Sequence, residues 1–264
     1  MPGAMRDRFG RTIDYLRMSV TVDCNLNCIY CPGTWRRIPA PPAELLIAVA
    51  EAAARLGFKK IRLTGGEPLL REDIVEVVSR LAAIPGVEEI CLTTNGTFLE
   101  HRARQLAVAG LTRVNVSLDA VSPELYRRIT GGEVEPVLRG IEAAVAAGIV
   151  PVKLNCVVER GPDEPAAREV ARFAAARGLP VRYIRHMAPH RGVFYPVING
   201  SGGRCEICNR VRFTADGLIR SCLFSRLAFD VKERGAEAAL RAAVRFKPAR
   251  GSVCPERSLR VLGG

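Results

Sequence analysis

Cys24, Cys28 and Cys31 stand at CxxxCxxC spacing in one short stretch, close enough for three thiolates to converge on a metal centre. Structural zinc takes four closed ligands, and the nearest histidine in sequence, His101, lies some 70 residues beyond. A 4Fe-4S cluster bound by three thiolates leaves one iron open. That iron can chelate the amino and carboxylate groups of S-adenosylmethionine (SAM) and pass an electron to its sulfonium. Zinc and free thiols are the competing readings.

A second group, Cys205 and Cys208 as CxxC with Cys222 following after thirteen intervening residues, invites the same question. The stretch 209–221 alternates well enough for a β-hairpin turning at Ala215-Asp216-Gly217, which folds Cys222 back beside Cys208. Alternation also places Arg210 and Arg212 on one face, next to the metal centre and able to clamp phosphate. Three readings stay open: a cluster with an open iron, a cluster fully ligated through Cys254, and a zinc knuckle. Cys91 and Cys156 fall inside strand patterns and read as buried thiols.

Nine cysteines without an export signal fit a reducing, cytoplasmic setting better than a disulfide scaffold. No apolar stretch has membrane-spanning length. The net charge of +12 invites a polyanionic partner, although 34 of the 39 basic residues are Arg, a bias that a GC-rich genome also produces. A metal-bound RNA-binding module would use that charge, but few aromatics accompany it to stack on bases.

These residues need elements to hold them. Short β-rich runs at 16–22, 60–64, 89–93, 113–118, 151–158 and 181–186 alternate with helical patterns, as parallel βα units do. Leu45, Val49 and Leu56 share one helix face; Ile74, Val75, Val78, Leu81 and Ala82 share another. Gly57, Gly110, Gly148 and Gly178 follow helical runs, where left-handed caps belong. Six units fit an open doubly wound sheet or a partial barrel, and both put chemistry at the carboxyl ends of strands. Beyond Met187 the rhythm stops, and 200–203 (GSGG) reads as a flexible loop. The expected division is 1–190 for the βα body and 191–264 for an iron-sulfur region, with an Ala-rich helix over 234–244.

The cysteine triad with Tyr30 before its last member, followed one unit later by Thr64-Gly65-Gly66-Glu67-Pro68, resembles the radical SAM superfamily. Within it, Phe9-Gly10-Arg11, Asp14-Tyr15-Leu16-Arg17, the stretches 62–69 and 114–119, and Cys208-Asn209-Arg210-Val211-Arg212 are similar to the GTP 3',8-cyclases of molybdenum cofactor biosynthesis.

The resemblance implies an α/β fold, a partial (β/α)6 barrel of the radical SAM type with a small C-terminal iron-sulfur subdomain. It implies two 4Fe-4S clusters, on Cys24, Cys28 and Cys31 and on Cys205, Cys208 and Cys222, with SAM as cofactor. The activity implied is that of a lyase. A 5'-deoxyadenosyl radical takes hydrogen from ribose C3' of GTP, C3' bonds to guanine C8, and the second cluster's open iron holds the purine. Cofactor contacts carried over are Tyr30, Gly66, Glu67, Ser117 and Met187. Substrate contacts are Arg17, Arg62, Thr93, Lys153, Arg210 and Arg212, with Arg17, Arg210 and Arg212 taken as catalytic. Gly263-Gly264 matches a diglycine tail that reaches the active site. Implied partners are GTP or another anionic nucleotide, a reductase or flavodoxin-type electron donor, and the next enzyme of the pterin pathway, for a monomer or homodimer. A related radical SAM enzyme acting on another nucleotide or a peptide is the alternative. The chain departs from the family pattern at Cys31-Pro32-Gly33 and at Arg185-His186. It also departs in having only seventeen residues between Met187 and Cys205, where the family carries several dozen.

Overall fold

The computed structural model describes residues 3, 5–31 and 38–263. A small antiparallel ribbon, β1 (Met5–Arg6) and β2 (Thr12–Ile13), precedes the main sheet. Then come six parallel strands: β3 (Tyr15–Ser19), β4 (Lys60–Thr64), β5 (Glu89–Thr94), β6 (Arg113–Ser117), β7 (Val152–Val158) and β8 (Val181–Arg185). They lie side by side in chain order. A doubly wound sheet reverses its order at a switch point; this one never does, and it stays open. It is therefore the partial (β/α)6 barrel.

Side-chain alternation divides each strand between two environments. Leu16 and Met18, Ile61 and Leu63, Leu92, Val114 and Val116, and Leu154 are buried in the core shared with the helices. The intervening residues pair across the ladder on the other face: Arg17 with Arg62, Arg62 with Cys91, Cys91 with Arg113, Asn115 with Lys153. A closed barrel fills that face with branched apolar side chains. Here it carries cations and amides, so the barrel interior is a site instead of a core.

The connecting helices are α1 (Ala43–Arg55), α2 (Ile74–Ala82), α3 (Leu99–Val108), α4 (Pro123–Thr130), α5 (Glu135–Ala146) and α6 (Pro165–Ala175). On α2, Ile74, Val77, Val78 and Leu81 are buried while Ala82 is exposed, so the apolar face is rotated slightly from the expected one. All four expected cap glycines have positive φ. No helix among the described residues is long and apolar enough to cross a membrane.

The hairpin forms as expected, from β9 (Arg210–Phe213) and β10 (Leu218–Arg220), with β11 (Ala228–Asp230) beyond. Its placement is new. β9 lies parallel to β3, pairing Tyr15 with Arg210 and Arg17 with Arg212, so the strands beyond residue 190 extend the main sheet. The expected Ala-rich helix is split at Gly235 into α7 (Val231–Arg234) and α8 (Ala236–Arg245), and α9 (Leu259–Leu262) closes the described chain. The run 200–203, expected as a flexible connector, is a defined turn: Val197 N donates to Gly202 O at 2.8 Å, and a Cβ on Gly203 would meet Tyr195 O at 2.1 Å.

Candidate functional site

The loop after β3 carries the first triad, and four parts of the chain hold its backbone. Gly66 N donates to Thr21 O at 2.8 Å and Glu67 N to Asp23 O at 2.7 Å. From the other side, Asn27 N and Ile29 N each donate to the end of α4 at 2.9 Å. Arg71 Nη1 reaches Val20 O, and Arg260 Nη2, on α9, reaches Leu26 O, both at 2.9 Å. A Cβ on Gly66 would come within 2.0 Å of Asp23 O, so only glycine lets β4 and the cysteine loop meet this closely.

Cys24, Cys28 and Cys31 are half-buried free thiols. Burial, reinforced by the charge of Asp119, pushes Cys28 up to about 12; burial likewise raises Cys24, and raises Cys31 against the opposing charge of Arg260. Tyr30 donates its hydroxyl to Asp119 Oδ2. Asp119, just beyond β6, also accepts from Val157 N at 2.8 Å, and burial lifts it to about 6. Glu67 is fully buried, its carboxylate accepting from Leu69 N at 2.9 Å, Thr94 Oγ1 at 2.7 Å and Asn95 N at 2.7 Å. It ties the ends of β4 and β5 together.

These residues fit a three-thiolate cluster. The donors are all sulfur, and the nearby carboxylates, Asp119 and Glu67, are engaged elsewhere. No three Cys, His, Asp or Glu among the described residues gather as a single-ion site. In a 4Fe-4S cluster each thiolate binds a different iron, so the sulfurs need not meet at one point.

Beside this loop, inside the barrel, lies a cavity of about 310 Å³. Among the described residues its wall carries nine cations, Arg17, Lys60, Arg62, Arg113, Arg182, Arg204, Arg210, Arg212 and Lys247, and no carboxylate. Crowding them costs energy. Burial, then repulsion from Arg212, pulls Arg17 well below the ordinary arginine value; burial with repulsion from Arg210 brings Arg212 down to about 10. Tyr15 is pulled below a normal phenol because Arg62 and Arg17 outweigh its burial, and it accepts from Arg62 Nε.

The second triad lines this cavity. Cys205 and Cys208 flank a tight turn, with Cys208 N donating to Cys205 O at 3.3 Å, and Cys222 follows β10. Phe224 N donates to Cys222 Sγ at 3.4 Å. This donor set is also all sulfur. Gly251 sits close by, where a Cβ would lie 2.7 Å from Phe224 Cβ and 3.5 Å from Cys222 Sγ. The tail arrives at the same place: Gly263 O accepts from Arg17 Nη2 at 3.1 Å and Arg212 Nη1 at 2.6 Å. At φ +66°, with a Cβ only 2.6 Å from Thr64 Cγ2, position 263 requires glycine. Gly264 lies outside the described residues, as do Pro32 and Gly33.

A family model described as the radical SAM superfamily matches residues 18–174. The GTP 3',8-cyclase of Listeria monocytogenes is 36% identical over 83% of this chain and 82% of its own length; that of Moorella thermoacetica is 40% identical over 86% of each. The chain belongs to the GTP 3',8-cyclase family of radical SAM enzymes. The Moorella alignment spans 279 positions, more than the 264 residues of this chain, so that relative carries residues absent here. Among solved structures, anSMEcpe with bound AdoMet superposes with a TM-score of 0.66 at 16% identity, over 88% of this chain and 80% of that one. At that identity the likeness concerns the fold alone.

Of the residues expected from the cyclase pattern, Arg17, Arg62, Thr93, Met187, Arg210, Arg212 and the second cysteine triad form the cavity wall. Tyr30, Gly66, Glu67 and Ser117 stand instead at the strand ends around the first triad. Lys153 is off the wall, although burial and the charges of Arg182, Arg113, Lys60 and Arg62 lower its ammonium. Sequence reasoning missed Tyr15, Lys60, Arg113, Asn155 and Arg182. A signal existed for four of them: Tyr15, Lys60, Arg113 and Asn155 each lie two residues from another polar wall or barrel residue on their own strand, breaking the apolar pattern at period two. Phe9-Gly10-Arg11 was quoted without a role. Arg11 binds Cys205 O at 2.6 Å and Pro248 O at 2.7 Å while paired with Asp7 at 2.6 Å, so it anchors the second triad.

Proposed function

We propose that this chain is a GTP 3',8-cyclase, converting GTP to (8S)-3',8-cyclo-7,8-dihydroguanosine 5'-triphosphate in molybdenum cofactor biosynthesis. The observation that carries the reading is a cavity walled, among the described residues, by nine cations and no carboxylate, and open to the second cysteine triad. A triphosphate brings about four negative charges and relieves the repulsion that depresses Arg17 and Arg212. A peptide backbone supplies no such charge, so the peptide alternative has no support in the cavity.

When bound, the first cluster and SAM supply the 5'-deoxyadenosyl radical, and the second cluster's open iron offers a site for the purine. The chain's own residues do the positioning. Cys24, Cys28 and Cys31 would hold the first cluster; Cys205, Cys208 and Cys222 the second. Tyr30, fixed by Asp119, and the Gly66 backbone border the SAM side, with Glu67 keeping the strand ends in register. Arg62, Arg210 and Arg212 face the substrate side, where Thr93 adds a hydroxyl. Cys254 is fully buried in a cluster with Leu223, Phe224 and Leu262 against which Cys222 packs, but its sulfur accepts from Arg220 Nη1 at 3.9 Å and it is off the cavity wall, which supports three protein ligands and an open iron at the second centre. The same reading carries a cytoplasmic location and a reductase or flavodoxin-type electron donor.

The test is an anaerobic assay of the reconstituted enzyme. GTP-dependent release of 5'-deoxyadenosine together with the cyclised nucleotide is expected; SAM cleavage without a GTP product would overturn the substrate while keeping the superfamily.

A further inference from the structure

Lys247 is the one charged side chain among the largest fully buried ones, 1% exposed. Its Nζ donates to Arg210 O at 2.6 Å and to Ser221 O at 2.7 Å. These carbonyls lie at the open end of the hairpin, Arg210 beginning β9 two residues after Cys208 and Ser221 directly following β10 one residue before Cys222. Lys247 also lies on the cavity wall with all three cysteines of the second triad.

Among the described residues Lys247 has no carboxylate partner, and the charges around the cavity are cationic. Burying an ammonium costs several kcal/mol unless an opposite charge accompanies it. Two carbonyls satisfy its protons without cancelling its charge. The anions within reach are the sulfurs of the second triad.

We infer that Lys247 is the internal counter-cation of the second cluster, fixing the hairpin carbonyls beside Cys208 and Cys222 and biasing that centre toward its reduced state. This rests on the second triad holding a cluster. A one-electron reduction adds a negative charge to the centre, and a fixed positive charge nearby stabilises that form. Lys247 is thus a positioning residue, acting through the cluster instead of on the substrate.

The experiment uses full-length protein with Cys24, Cys28 and Cys31 replaced by Ala, so that only the second centre can load. Iron content after anaerobic reconstitution comes first: no iron in this background sinks the cluster reading itself, independently of Lys247. Lys247→Gln keeps N–H donors and removes the charge, and Lys247→Arg keeps the charge. Redox titration followed by electron paramagnetic resonance should show reduction about tenfold less favourable in the Gln variant, a negative shift of about 59 mV for a one-electron couple, and little change in the Arg variant. Should glutamine prevent folding by circular dichroism, Lys247→Met carries the same expectation. An unchanged potential in the neutral variant, or equal shifts in the neutral and Arg variants, overturns the assignment.

Discussion

The two cysteine triads share a ligand count and differ in surroundings. The first sits at the strand ends beside Asp119, Tyr30 and Glu67, where burial raises all three thiols. The second opens onto a wall of arginines, and there Lys247 and Arg210 bring Cys208 below an ordinary thiol despite its burial, while burial still raises Cys222. On the proposed reading, identical donors would thus face SAM in one place and a polyanion in the other. The difference resides in what the neighbouring strands present: β6 leads into Asp119 two residues beyond its end, while β9 supplies Arg210 and Arg212.

The contrast is broken most severely by exchanging one cysteine at a time. Cys28→Ala should abolish SAM cleavage, a loss of at least ~10³-fold because the three thiolates act as a unit. Cys222→Ala should retain SAM cleavage and lose the cyclised product; equal losses of SAM cleavage in both would erase the distinction. A smaller effect is expected at the cation wall. Arg212→Ala removes a charge-assisted contact worth about 1.5–3 kcal/mol, so kcat/KM for GTP should fall about 10- to 100-fold with the SAM constants unchanged. Asp119→Asn probes the other side: without its carboxylate Tyr30 loses its anchor, and KM for SAM should rise about tenfold while that for GTP stays put.

How far these regions could be read beforehand differs too. CxxxCxxC, CxxC and the period-two arginines at 210 and 212 are local patterns, and local geometry carries them into the fold. The pairing of β9 with β3 joins residues about 195 apart, and no local periodicity encodes a parallel neighbour so distant. The burial of Lys247 and the reach of Arg11 depend on that pairing, which is why both escaped notice. The glycines at 200–203 have a flexible composition, yet Val197 and Tyr195 pack against them and turn them into cavity wall. Six strands at the expected positions followed from short runs rich in Val, Ile, Leu and Thr set between helical patterns.

Two finer effects sharpen the comparison. Glu67, held at about 7 by burial although three donors oppose the shift, keeps its proton in the folded chain at pH values where the unfolded chain has released it. Stability of the apo-protein should therefore fall as pH rises from about 4.5 to 7, by a few degrees in Tm, and Glu67→Gln should flatten that slope. Thermal melts across this range decide it; a Tm that rises over the window contradicts the assignment. Last, Cys254→Ala should leave the spectrum of the second cluster unchanged, since that thiol is fully buried behind the cavity wall and accepts from Arg220 Nη1 at 3.9 Å.

The division of labour between the triads is tested most directly by electron paramagnetic resonance on two single-cluster forms, one lacking the first triad and one lacking the second. SAM should perturb only the spectrum of the cluster on Cys24, Cys28 and Cys31, and GTP only that on Cys205, Cys208 and Cys222. A GTP-induced change at the first cluster, or none at the second, would contradict the account.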